Sequence, residues 1–215
     1  MKRRKFNLLV TVCALTGASG IQAEGFDIQG KYDRIVPNQP TETPQGVIEV
    51  VDVFGYRCPH CFNYLPVLEG FEQQIPADVQ VRHMPAIFRK DWELPARAFY
   101  TAELLGITQK MHRPIFEAMH VDKRAMDDVA SWRQLFVDHG VSAEDFDKTF
   151  KSFAVESGIR KSVVMQGRYG VSGTPSMIVN GKYRISPGVA GGFENMIKIA
   201  EGLIALERKA AGQSG

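Results

Sequence analysis

Cysteine is scarce in this chain of 215 residues, which holds only Cys13, Cys58 and Cys61. That excludes a small scaffold stapled by many disulfides, and roughly 190 mature residues can bury a hydrophobic core without one. Long apolar runs are missing too. The longest, from Phe6 to about Leu15, falls short of the roughly 18 residues that cross a bilayer. Beyond the first five residues no Lys/Arg cluster is interleaved with aromatics, so nothing points to nucleic acid. Repeats, low-complexity segments and a second Cys-x-x-Cys are absent as well.

What is present begins with a leader. Lys2, Arg3, Arg4 and Lys5 precede the apolar stretch and small residues follow it, the pattern of a secretory signal peptide, with cleavage expected after Ala23. Cys13 sits inside the apolar stretch, without the small residues that precede a lipidated cysteine, and is expected to leave with the leader. Losing residues 1–23 removes four basic side chains and no acidic one, which turns a formal charge of +2 into −2. An exported protein of this size then keeps two cysteines, three positions apart, and their placement asks for a chemical explanation.

Residues 24–46 read as a polar N-terminal lead-in with one short strand-like stretch from Tyr32 to Val36. Val47 to Phe54 is β-branched and nearly continuously apolar, as expected of a central strand buried on both faces. Gly55 and Tyr56 end it. Pro59 suits the first turn of a helix, which places Cys58 at or beside the N-cap. That helix should run to about Gln74, kinked at Pro66, and Val79 to Met84 reads as the next strand. Helical signals fill Trp92 to about Tyr169, including a capping box opened by Ser142. Ser176–Val179 and Tyr183–Ile185 flank Asn180-Gly181-Lys182 as a hairpin, and Gly191-Gly192 opens a last amphipathic helix. The expected architecture is α/β: a thioredoxin fold in two parts, 47–90 and 169–210, with an all-helical domain inserted at 91–168 and a tail at 211–215.

Thiolates, not thiols, carry out disulfide exchange, so a reactive cysteine needs a reachable sulfur and surroundings that favour the anion. A helix N-terminus provides unpaired N–H groups and the positive end of the dipole. In Cys58-Pro59-His60-Cys61 the first cysteine is therefore the expected nucleophile and Cys61, one turn further in, the resolving partner. An imidazole at His60 would stabilise the thiolate further, and with it the reduced form, which makes the disulfide oxidising. The bland readings are weaker. A structural bridge closing so short a loop yields only about 2 kcal/mol from chain entropy; zinc lacks a partner pair of ligands; c-type haem requires histidine after Cys61, where Phe62 stands.

Asp52 lies within the apolar strand, where an unpaired carboxylate is costly unless it takes up a proton. It could relay protons to Cys61; otherwise it faces a solvated strand end or a lysine. Glu49, of opposite face parity, is expected to be exposed. Thr174-Pro175 precedes the hairpin, and a cis bond there would let the Thr174 backbone face the sulfurs and pair with an extended substrate. His83, His112, His120 and His139 show no spacing that suggests a metal, and the helix-borne ones are expected on surfaces or caps. Phe88, Trp92 and Phe99 could line an apolar groove or pack the core.

With Cys58-Pro59-His60-Cys61-Phe62, Tyr169-Gly170-Val171-Ser172-Gly173-Thr174-Pro175 and Val179-Asn180-Gly181-Lys182-Tyr183, the chain resembles the DsbA family of bacterial periplasmic disulfide-forming proteins over nearly its whole mature length. The resemblance implies a cofactor-free, metal-free monomer that donates a Cys58–Cys61 disulfide to newly exported chains with free cysteines and is reoxidised by a quinone-linked inner-membrane partner of the DsbB kind. Two departures stand out: Thr174 where valine is more usual, and Asp52 where many members carry glutamate. The competing readings are an isomerase or reductase of the same fold, or a periplasmic peptide-binding chaperone.

Overall fold

The computed structural model describes residues 27–212; the leader, its cleavage point and Cys13 lie outside them. Of the strand expected at Tyr32–Val36 only β1 (Asp33–Arg34) forms. β2 (Ile48–Phe54) is buried at every position, as its unbroken apolar run requires. A loop then leads into α1 (Pro59–Glu72), which keeps Pro66 inside it, and β3 (Val79–Pro85) runs parallel to β2.

A 3-10 turn (Lys90–Trp92) opens a helical block of α2 (Glu93–Leu104), α3 (Thr108–His120), α4 (Val129–Asp138), α5 (Ala143–Phe150) and α6 (Phe153–Arg168). The last three start on side-chain caps: Asp128, Ser142 and Ser152 accept from the N–H groups of Ser131, Asp145 and Val155. β4 (Ser176–Val179) and β5 (Tyr183–Ile185) follow. Their turn places Asn180 at φ 51° and Gly181 at φ 64°, and the Lys182 N–H bonds to the Val179 carbonyl at 3.0 Å. The expectation of a helix opening at Gly191-Gly192 omits α7 (Pro187–Ala190); α8 (Phe193–Ala210) comes after both glycines.

The sheet order is β1-β5-β4-β2-β3, with β2–β3 the parallel pair. One face carries α1 and α8 over Ile48, Val50, Met177 and Val179; the other carries α6 over Val51, Val53 and Ile178. The insert has its own core around Trp132, Phe136 and Phe146, continuous with Phe54, Tyr56, Cys58 and Cys61. The cysteine turn thus sits where that core meets the end of the sheet. Phe99 belongs to the core, at 1% exposure, rather than to a groove. Trp92 packs over Gly55, where an added Cβ would stand 2.2 Å from the indole.

Expectations fail at two positions: His112 of α3 is buried, not on a surface or cap, and Glu49 is not exposed. Glu49 is fully buried: its Oε1 accepts from the Glu42 N–H at 2.9 Å and from Arg82 Nε at 3.3 Å. Face parity separates inside from outside only where one face meets water, and β2 has no such face.

Candidate active site

The loop from Gly55 to Cys61 is built by local rules. Cys58 N–H bonds to the Gly55 carbonyl at 2.9 Å, closing a turn, and Cys58 takes extended dihedrals (φ −90°, ψ 112°) as the N-cap of α1. Pro59 follows at N1, where its missing N–H costs nothing. The cap is a sulfur. Cys58 Sγ accepts from the Cys61 N–H at 3.4 Å and also lies 3.4 Å from the Thr174 carbonyl. The Thr174–Pro175 bond is cis. Both cysteines are free thiols, 7% and 2% exposed for Cys58 and Cys61.

The two thiols are driven apart. A hydrogen bond from Cys61 contributes most to lowering Cys58 to about 5; burial opposes, while the Thr174 side chain and the backbone N–H groups of Cys61 and His60 assist. Burial, then the neighbouring Cys58, pushes Cys61 well above the ordinary thiol range, and the charge of Asp52 adds to this. His60 enters through its backbone N–H. Its ring is exposed and makes no hydrogen bond to the described residues, which differs from the imidazole contribution expected from the sequence.

Behind Cys61, Asp52 is 2% exposed and faces neither solvent nor a lysine. Its Oδ2 lies 3.1 Å from His83 Nδ1, and its Oδ1 is buried with no hydrogen-bond partner among the described residues. The parallel pairing sets this contact, because Asp52 and His83 are register partners of β2 and β3. His83 Nε2 is also 3.1 Å from Glu72 Oε1, off the line of a well-formed hydrogen bond. Burial alone would lower His83, but the two carboxylates raise it to about 10. Burial raises Asp52, against the pull of His83.

The helical block contributes three more contacts. His112 is buried and stacked on His83 (centroids 4.6 Å, 28°), and its Nδ1 shares a hydrogen bond of 2.9 Å with the Tyr56 hydroxyl. Burial and the His83 charge hold His112 well below the usual imidazole range, hence neutral. His120 Nε2 donates to the Tyr56 carbonyl at 2.7 Å and its ring stacks on Phe62 (5.1 Å, 12°). Arg57 reaches the Asp91 carbonyl at 2.8 Å and Asp127 Oδ1 at 2.6 Å. Asp52, His83 and His112 bring ligand atoms within 4.8 Å of one another. Of the atoms in this group, both His83 nitrogens already face carboxylates and Tyr56 holds His112 Nδ1.

The structure therefore gathers Cys58, Cys61, Pro59, Asp52, Thr174 and Pro175 at one sheet end, and adds His83, Glu72, His112 and His120, to which the sequence assigns nothing. One signal was available for His83, since a buried Asp52 needs a partner and the next strand offers Arg82-His83. For His112 and His120 the signal is the i, i+4, i+8 stripe with Phe116.

Residues 83–195 match the DSBA-like thioredoxin domain. Among curated proteins, the chain is 34% identical to the thiol:disulfide interchange protein DsbA of Pseudomonas syringae pv. tomato, over 98% of each chain. It is 36% identical to that of Azotobacter vinelandii, over 90% of this chain and 92% of the relative. Among solved structures, Pseudomonas aeruginosa DsbA superposes with a TM-score of 0.81 at 36% identity, covering 85% of this chain and 95% of that one. The oxidoreductase DsbA of Xylella fastidiosa gives 0.78 at 30%, covering 83% and 95%.

Proposed function

The chain belongs to the DsbA family and is a thiol:disulfide oxidoreductase, and from that premise we propose that it works in the periplasm as a disulfide donor. The observation that carries the direction of reaction is the asymmetry of the two thiols, one lowered to about 5 and the other raised. A substrate thiolate attacks Cys58 Sγ in the Cys58–Cys61 bond; the S–S electron pair leaves on Cys61 Sγ, which takes up a proton. A second substrate thiolate attacks the mixed disulfide, and Cys58 leaves as a thiolate held by the N–H groups of α1. A low-pKa thiol is the better leaving group. The partners are exported polypeptides with free cysteines and, for reoxidation, a quinone-linked inner-membrane protein of the DsbB kind. The leader ending at Ala23 delivers the mature monomer.

Each side chain has a part in this reading. Cys61 resolves, Pro59 and the His60 N–H shape the cap, and Asp52 supplies the Cys61 proton. The Thr174 carbonyl beside the sulfur marks where an extended substrate pairs with the backbone ahead of Pro175. A thiol at about 5 favours the reduced pair at pH 7 by on the order of 2–3 kcal/mol, or about 60 mV. That is smaller than the roughly 5 kcal/mol available to a thiol near 3.5. The reductase or isomerase reading draws its one specific support from Thr174, which stands before Pro175 where the family more usually has valine.

The test is the redox equilibrium of the mature protein against glutathione, with thiolate absorbance followed against pH. A pair that glutathione reduces readily, with the thiolate midpoint well below neutral, is the expected result. A strongly reducing pair with a near-neutral thiol would replace the donor by a reductase.

A further inference from the structure

Resting on the redox reading above, we infer that His112 and His120 of α3 are positioning residues for the disulfide, and that they act on Cys58 by gripping Tyr56 at its hydroxyl and its carbonyl. Tyr56 stands two residues before Cys58, inside the turn that Cys58 N–H closes on Gly55. His120 Nε2 holds the carbonyl at 2.7 Å and His112 Nδ1 the hydroxyl at 2.9 Å. No other hydrogen bond to the Tyr56 side chain or carbonyl is present among the described residues. The grip is braced on both sides: His120 lies flat on Phe62, directly after Cys61, and the Tyr56 ring meets Phe116 at 4.9 Å between the two histidines.

The grip matters because sulfur is a weak hydrogen-bonding atom and its contacts depend on the turn staying in place. Cys58 Sγ is 3.4 Å from the Cys61 nitrogen and 3.4 Å from the Thr174 oxygen, so a drift of about 0.5 Å in the turn weakens both. A helix of the insert thereby sets how well a sulfur on the sheet side is solvated by the protein. Tyr56–Arg57 becomes the joint between the two parts, with Arg57 bonded to residues 91 and 127 of the insert.

Glutathione equilibrium and Cys58 thiolate absorbance test this in His120→Leu and His120→Gln. The glutamine amide can reproduce the Nε2–H donor. His120→Leu should weaken oxidation by about tenfold and raise the thiolate midpoint, while His120→Gln should stay within about twofold of wild type. A cycle of Tyr56→Phe with His112→Phe covers the second contact. Once the hydroxyl is gone, His112→Phe should change the equilibrium by less than about twofold, against several-fold in the presence of Tyr56. Two unchanged His120 variants, equal losses in leucine and glutamine, or an additive cycle would each overturn the inference. Wild-type protein that does not exchange with glutathione at all would instead overturn the donor reading.

Discussion

Strand β2 buries two carboxylates three residues apart, facing opposite sides of the sheet. Glu49 meets Arg82, which also pairs with Glu42 at 2.8 Å. Asp52 meets His83, which also faces Glu72. In each case a carboxylate in the strand is matched by a cation from the neighbouring strand and a second, less buried carboxylate. The cations differ in kind. Guanidinium stays charged at any working pH, so the Glu49 cluster is a fixed ion pair; imidazole can pass a proton from one nitrogen to the other. Only the histidine cluster lies close enough to Cys61 for the Asp52 charge to raise that thiol. One strand thus holds a permanent ionic anchor on one face and a titratable one on the face that serves the sulfurs.

The largest test of that contrast removes the permanent cation. Arg82→Met leaves Glu49 buried without its counter-ion and should cost about 3–5 kcal/mol in urea unfolding. Adding Glu49→Met should recover most of the loss, and the glutathione equilibrium should stay near wild type in the double variant. Equal stability of Arg82→Met and wild type would make the pair dispensable.

His83→Phe should cost less, about 2 kcal/mol near neutral pH, because Asp52 can take up a proton where Glu49 meets a fixed charge. The pH dependence carries the sign. His83 is raised from 6.5 to about 10 in the fold, so its contribution is complete below 6.5 and lost as pH rises through about 10. Unfolding free energies from pH 6 to 10 should show that decline in wild type and lack it in His83→Phe. Identical slopes would remove the titrating role.

The smallest expected change in stability belongs to Asp52→Asn, about 1 kcal/mol, since the amide oxygen can still accept from His83 Nδ1 and Glu72 remains beside the imidazole. Its effect should appear in rate. Stopped-flow reduction by a peptide dithiol should slow several-fold at pH 7, and more at higher pH, where solvent protons are scarcer. An unchanged rate across that range would separate Asp52 from the Cys61 proton.

The sequence made much of the frame legible because those signals are short-range. The unbroken run Val47–Phe54, Pro59 after Cys58 and Asn180-Gly181 each act through their immediate neighbours, and the strands, the N-cap and the hairpin turn follow from them. Where partners come from other elements, the reading stops. Glu49 is misplaced because alternation carries no information in a strand with two buried faces. The Asp52–His83 contact depends on the parallel register of β2 and β3, and the roles of His112 and His120 on how α3 lies against the cysteine turn. His60 shows a different limit: residue identity suggests an imidazole effect, whereas the helix start supplies a backbone N–H.

The contact between Gly55 and Trp92 has a consequence for how this loop can change. The indole occupies the space a side chain at position 55 would need, and it does so across the junction between sheet and insert. Residues 55 and 92 therefore share a single allotment of volume. A side chain at position 55 requires a smaller one at position 92 first, and the order of the two changes is set by the packing.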